Sequence, residues 1–162
     1  MSRPPLTVFL KPGELYFSAQ PAVVSTLLGS CVAVTMFSRR KRIGAICHAL
    51  LPSCRGEERC GERDELGGKY VECCVPMMLQ ELETRGVTRR EIEAKVFGGA
   101  DMFSVSVGGR AGVGTQNADI ALKLLQEAGI RVVSQDLGGT SGRKLFFHTH
   151  TGEVFLKTLS KT

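Results

Sequence analysis

Short runs of β-branched and apolar residues fill the first third of the chain, and helical spacing of apolar positions begins only after it. Leu6–Leu10 and Glu14–Ser18 read as brief strands separated by Pro12-Gly13. Ala22–Leu28 and Cys31–Phe37 are apolar strand candidates interrupted by Gly29-Ser30, and Ile43–Leu50 follows a basic turn, Arg39–Arg42. From Pro52 to Gly68 the composition turns charged and glycine-rich. The pattern there predicts an exposed loop of about 16 residues, a length that often gates or carries function.

Val71, Cys74, Val75, Met78, Leu79 and Leu82 then recur at helical spacing and predict a helix over Lys69–Arg85, stopped by Gly86. Pro76 requires that this helix start later than Lys69 or bend. Glu93–Phe97 reads as a strand running into Gly98-Gly99. A second helix over Gln116–Ala128 places Ala118, Ala121, Leu122 and Leu125 on one face and stops at Gly129. Ile130–Gln135, Lys144–His148 and Glu153–Leu159 close the chain as strands. Two amphipathic helices with roughly eight strands predict an α/β fold, a mixed β-sandwich whose helices cover one sheet face in α/β/β layers. The length predicts one domain spanning residues 1–162.

Composition narrows the function. Apolar residues at 43% and charged residues at 23% exclude a disordered or fibrous chain. The apolar runs fall far short of the roughly 18 residues of a membrane helix. The opening Met1–Pro5 precedes too short an apolar run for an export signal. The expectation is a soluble, cytoplasmic protein that is not membrane-inserted. A net charge of +5 invites a nucleic-acid reading. Against it, the cations alternate with Glu and Asp, Trp is absent and only two Tyr are available for stacking. No nucleic-acid partner is expected; the charge can equally steer an acidic protein partner.

The six cysteines, Cys31, Cys47, Cys54, Cys60, Cys73 and Cys74, show no C-x-x-C spacing. In a reducing compartment they are expected to be thiols rather than a disulfide framework. Cys31 stands apart because it directly follows Gly29-Ser30 between two apolar strands. A turn of that kind can aim backbone N–H groups at one point, as an oxyanion site requires. Alternatively, Cys31 is simply a buried residue opening a strand. If Cys31–Phe37 and Ile43–Leu50 form a hairpin centred on Arg39-Arg40, Cys31 faces His48 with Cβ atoms about 4.5–5.5 Å apart. His48 is then a candidate base that lowers the thiol pKa, although a lone histidine in an apolar run is by default a hydrogen-bonded core residue. No Asp or Glu occurs between Gln20 and Leu51, so a hydroxyl or carbonyl is the expected orienter of the imidazole. Ser25 shares a sheet face with Cys31 if the alternation runs unbroken, and Thr26 takes that place if Gly29 resets it. His148-Thr149-His150 could hold a metal, but no third ligand is near in sequence and none is expected to bind.

These residues resemble a known family. Leu28-Gly29-Ser30-Cys31-Val32-Ala33-Val34, His48 seventeen residues later and Leu51-Pro52 are similar to the chemotaxis protein family CheD. So are Lys69-Tyr70-Val71, Phe97-Gly98-Gly99-Ala100-Asp101-Met102-Phe103, Gly114 with Asn117, Asp136–Gly139, Gly142-Arg143-Lys144 and Thr151–Val154, in the same order. The resemblance implies a glutamine deamidase acting on methyl-accepting chemotaxis receptors, with a fold related to the catalytic domain of cytotoxic necrotizing factors. It implies Cys31 as nucleophile, His48 as base and, by spacing, Ser25 as the third residue, with Thr26 beside it. Gly29 and Ser30 are the oxyanion candidates, and no cofactor or metal is implied. The family also implies a CheC-type phosphatase as partner. The alternative is that the chain is chiefly such a binding partner and regulator, with Phe103 as the candidate contact.

Overall fold

The computed structural model describes residues 3–54, 68–102 and 112–160. Most of the expected loop over 52–68, and the residue Phe103, lie outside them. Nine strands are present: β1 (Leu6–Phe9), β2 (Leu15–Ser18), β3 (Ala22–Leu28), β4 (Val32–Ser38), β5 (Ile43–Ala49), β6 (Ile92–Gly98), β7 (Arg131–Leu137), β8 (Arg143–His148) and β9 (Val154–Thr158). Two α-helices, α1 (Val71–Thr84) and α2 (Val113–Glu127), accompany them, with a short 3-10 turn at Arg89–Glu91. The strands form a four-stranded sheet, β1-β3-β8-β9, and a five-stranded sheet, β2-β5-β4-β6-β7. Both sheets are mixed, because β1 pairs parallel with β3 and β6 pairs parallel with β7. The α/β sandwich expected from the sequence is therefore present.

Alternation along β4 and β5 builds two cores. Val32, Val34, Met36, Ala45 and Cys47 face α1 and α2, meeting Val75, Met78, Leu82, Ala121 and Leu125. Ala33, Ile46 and Phe97 face the other way and meet Val24, Leu28, Leu145 and Phe147 of the four-stranded sheet. Both strands are buried at every position, which explains why they read as continuous apolar runs. The layers are thus helices, five-stranded sheet, four-stranded sheet.

The first helix starts at Val71, later than Lys69 as expected from Pro76, and Pro76 lies inside it on the exposed side, where water can replace the missing backbone donor. Two local readings are corrected. The second helix begins at Val113 rather than Gln116. Its first turn contains Gly114, where a Cβ would run into the Ala100 carbonyl, so the packing there carries no apolar side chain to read. The β4–β5 hairpin pairs Ala33, not Cys31, with His48 and Ser38 with Ile43, leaving a four-residue turn at Arg39–Arg42. A two-residue hairpin turn needs positive φ at one or both centres, which Arg39-Arg40 resists; in the longer turn only Arg42 takes φ 53°. The slip is two residues, so every side chain keeps its face.

Candidate active site

Two of the buried polar side chains between the sheets meet each other. Thr26, on the inner face of β3, reaches across to His48 on the inner face of β5. The Thr26 Oγ1 to His48 Nδ1 distance is 2.6 Å, and both residues are buried. The same hydroxyl donates to the Leu10 carbonyl at 2.8 Å. A threonine hydroxyl has one proton, and a carbonyl can only accept. With that proton committed to Leu10, the Thr26 oxygen must accept from His48, so Nδ1 carries the ring proton and Nε2 presents a lone pair. Nε2 is buried and has no hydrogen-bond partner among the described residues. The backbone of His48 is fixed as well, since Gly13 N–H donates to its carbonyl and its own N–H donates to the Glu14 carbonyl.

Cys31 packs against this same inter-sheet layer. In an extended ladder it is diagonal to His48, about 7–8 Å away between Cα atoms. It sits just before β4, and three successive carbonyls pin its loop. Ala100 N–H donates to the Gly29 carbonyl at 3.0 Å, and Gly99 N–H to the Cys31 carbonyl at 2.8 Å. The Asn117 amide nitrogen donates to the Ser30 carbonyl at 2.9 Å and also to the Leu50 carbonyl at 3.0 Å. Asn117 is fully buried on α2, on the helix side of the five-stranded sheet. A trans peptide points its C=O and N–H in opposite directions. Drawing the Ser30 carbonyl toward Asn117 therefore turns the Cys31 N–H away from the helix, and that N–H stabilises the Cys31 thiolate. Gly98, at φ 103°, completes the seat, because a Cβ there would run into the Cys31 carbonyl. Arg143 locks the neighbouring segment, donating to the carbonyls of Gly98 and Gly138 and pairing with Asp136 at 2.9 Å.

Burial sets the ionisation. It lowers the His48 pKa to about 4 and raises that of Cys31, with the Cys31 backbone N–H opposing the rise. The expectation that His48 lowers the thiol pKa is not met in the resting state. Desolvation disfavours both ions, so the pair rests as neutral imidazole and neutral thiol.

Ser25, expected by spacing as the third residue, is not brought to His48: it lies on the outer face of β3, paired with Phe146, while Thr26 points inward. The unbroken alternation from Ser25 to Cys31 fails because Gly29 and Ser30 leave the strand before β4 begins. Asn117 and the Leu10 carbonyl were not legible as site components; the only sequence signal for Asn117 was its place in a family motif. His148 and His150 lie 6.4 Å apart by ring centroid, and His148 packs edge-on against Phe155. Cys31 and Cys47 are free thiols, but Cys54 is disulfide-bonded, a correction to the reading of all six as thiols. Compartment arguments do not register which sulfurs a fold brings together.

No helix among the described residues is long and apolar enough to cross a membrane. The sequence profile of the CheD family, described as CheD chemotactic sensory transduction, matches residues 50–158. The probable chemoreceptor glutamine deamidase CheD 2 of Geobacter sulfurreducens is 50% identical over 155 residues, covering 96% of this chain and 91% of the relative. The probable chemoreceptor glutamine deamidase CheD of Maridesulfovibrio salexigens is 44% identical, covering 95% and 92%. That of Thermococcus kodakarensis is 35% identical, covering 91% and 90%. The profile match begins beyond Cys31 and His48, whereas these relatives align with nearly the whole chain. A relative half identical across that span leaves one assignment: the chain belongs to the CheD family.

Proposed function

We propose that this chain is a chemoreceptor glutamine deamidase acting in the cytoplasm, with Cys31 as nucleophile, His48 as base and Thr26 as the residue that orients it. The observation that carries the reading is the buried Thr26–His48 bond of 2.6 Å, which leaves Nε2 bare in the layer where Cys31 packs. Most buried polar side-chain atoms have a partner, so a bare Nε2 in the layer of a cysteine supports a catalytic role.

Cys31 Sγ attacks the side-chain amide carbon of a receptor glutamine while His48 Nε2 takes the thiol proton. The amide oxygen becomes the oxyanion and accepts from the Cys31 N–H, with the Gly29-Ser30 turn holding that donor in place. His48 then protonates the amide nitrogen, the C–N bond breaks and ammonia leaves a thioester. Water, deprotonated by His48, attacks the thioester carbon; the C–S bond breaks, the proton returns to sulfur and the glutamine has become glutamate. Thr26 holds the imidazolium through Nδ1–H in both half-reactions. A role confined to binding a CheC-type phosphatase is not favoured, since it leaves the bare Nε2 and the pinned Cys31 loop without use.

The test is mass spectrometry of a chemoreceptor cytoplasmic fragment incubated with the wild-type chain or with Cys31→Ala. Wild type adds about one dalton per modified glutamine and leaves the backbone intact, as amide hydrolysis requires. Cys31→Ala adds nothing. Absence of any gain with folded receptor in excess refutes the assignment.

A further inference from the structure

The two outer faces of the sandwich are unequal. The five-stranded sheet is covered by α1 and α2, whereas no described element covers the outer face of β1-β3-β8-β9. A sheet face left to water normally carries polar residues. This one carries a row of phenylalanines among them. Phe9, Ser25, Phe146 and Phe155 align in one row across all four strands, a span of about 14 Å at ordinary strand spacing. Phe9 is 55% exposed and Phe155 52% exposed. The next row is Leu27, itself exposed, then Lys144 and Lys157. Those two lysines sit directly opposite each other, an arrangement that repels. Among the described residues neither has a carboxylate within ion-pair distance, and no outward position of the four strands is Asp or Glu. Lys144 instead lies over the Phe146 ring, 5.3 Å from its centroid.

We propose that this face docks an acidic amphipathic helix of a protein partner, its apolar side on the phenylalanine row and its carboxylates on Lys144 and Lys157. Charge complementarity selects the occupant: the outward strand positions offer two lysines and aromatic area with no Asp or Glu, the nearest acid in sequence being Glu153 before β9, and among the described residues the paired lysines have no counter-charge, which the partner supplies. A second copy of this chain is the wrong occupant, because a two-fold contact here would bring four lysines together. A helix suits the exposed sheet face, which then acquires the same covering layer as the opposite one. The surface is independent of the Cys31 reading, since Ser25 and Thr26 point to opposite faces of β3.

The test uses the full chain and a synthetic helical peptide with a leucine face flanked by glutamates, its twin with lysines in their place, and fluorescence anisotropy. The glutamate peptide is expected to bind about tenfold or more tightly than its twin, a gap of about 1.4 kcal/mol. Phe155→Glu, at a position already in water, should abolish that binding while leaving the thermal melt unchanged. Lys144→Glu with Lys157→Glu should reverse the preference toward the lysine peptide. No binding of the glutamate peptide, equal binding of both peptides, or binding unaffected by Phe155→Glu overturns the proposal. So does sedimentation showing a wild-type dimer that Phe155→Glu dissociates, which would make a second copy the occupant.

Discussion

Thr26→Val separates the catalytic reading from a packing reading of the same residue. The change keeps shape and removes one hydroxyl that serves two buried bonds, 2.6 Å to His48 and 2.8 Å to the Leu10 carbonyl. Each group left without a partner in the interior costs about 1–3 kcal/mol, so a measurable loss of stability is expected. The functional loss has a different origin. Without the acceptor at Nδ1, the imidazole is free to hold its proton on Nε2, where it cannot take one from Cys31. If the bond biases the tautomers by about 1–3 kcal/mol, kcat falls about 5- to 150-fold. KM should change little, because Thr26 is fully buried behind His48 and touches no substrate. Ammonia release from a receptor fragment, measured well below the melting temperature, gives kcat and KM. Thr26→Ser, which retains the oxygen, should recover most of the rate. A Thr26→Val protein with kcat within twofold of wild type, or a folded Thr26→Ser protein as impaired as Thr26→Val, would refute the tautomer argument.

Three further outcomes follow from the same geometry. His48 is held neutral with a folded pKa of about 4 against an ordinary 6.5, so between these values the unfolded chain binds the extra proton and stability falls as pH falls. From pH 7 to 5 this group alone should remove about 2 kcal/mol, and His48→Gln should flatten that part of the slope in denaturant midpoints taken at both pH values. Asn117→Ala frees the Ser30 and Leu50 carbonyls and should lower kcat more than it raises KM; alkylation of Cys31 by iodoacetamide should need a higher pH, which a merely structural loss would not produce. Gly98→Ala drives a methyl against the Cys31 carbonyl and strains a backbone at φ 103°, so the melt should drop and Cys31 alkylation should change even in the folded fraction.

What the sequence disclosed and what it hid divide along a physical line. Period-two and period-3.6 patterning located the nine strands and two helices of the described residues, because burial on one face or two leaves its mark on composition locally. The hairpin register was misread by two residues because turn length depends on which residues tolerate positive φ, and a run of four cations gives no such marker. Since the slip was even, Cys31 and His48 still fell on one layer. The third residue was harder. Choosing Thr26 over Ser25 requires knowing that the chain leaves the strand at Gly29-Ser30, which breaks the parity counted back from Cys31. The pull of Asn117 on the Ser30 carbonyl lies further still from local pattern, joining residues separated by 87 positions. The exposed phenylalanine row makes the complementary point. Phe9, Phe146 and Phe155 each read as ordinary strand residues, and only the pairing of four strands sets them side by side on a face that nothing else in the described chain covers. Two adjacent residues of β3 therefore serve opposite surfaces. Thr26 fixes the imidazole within the sandwich, while Ser25 lies in the aromatic row outside it. A partner seated on that row would press on the strand that carries Thr26, the shortest route by which binding outside could reach His48.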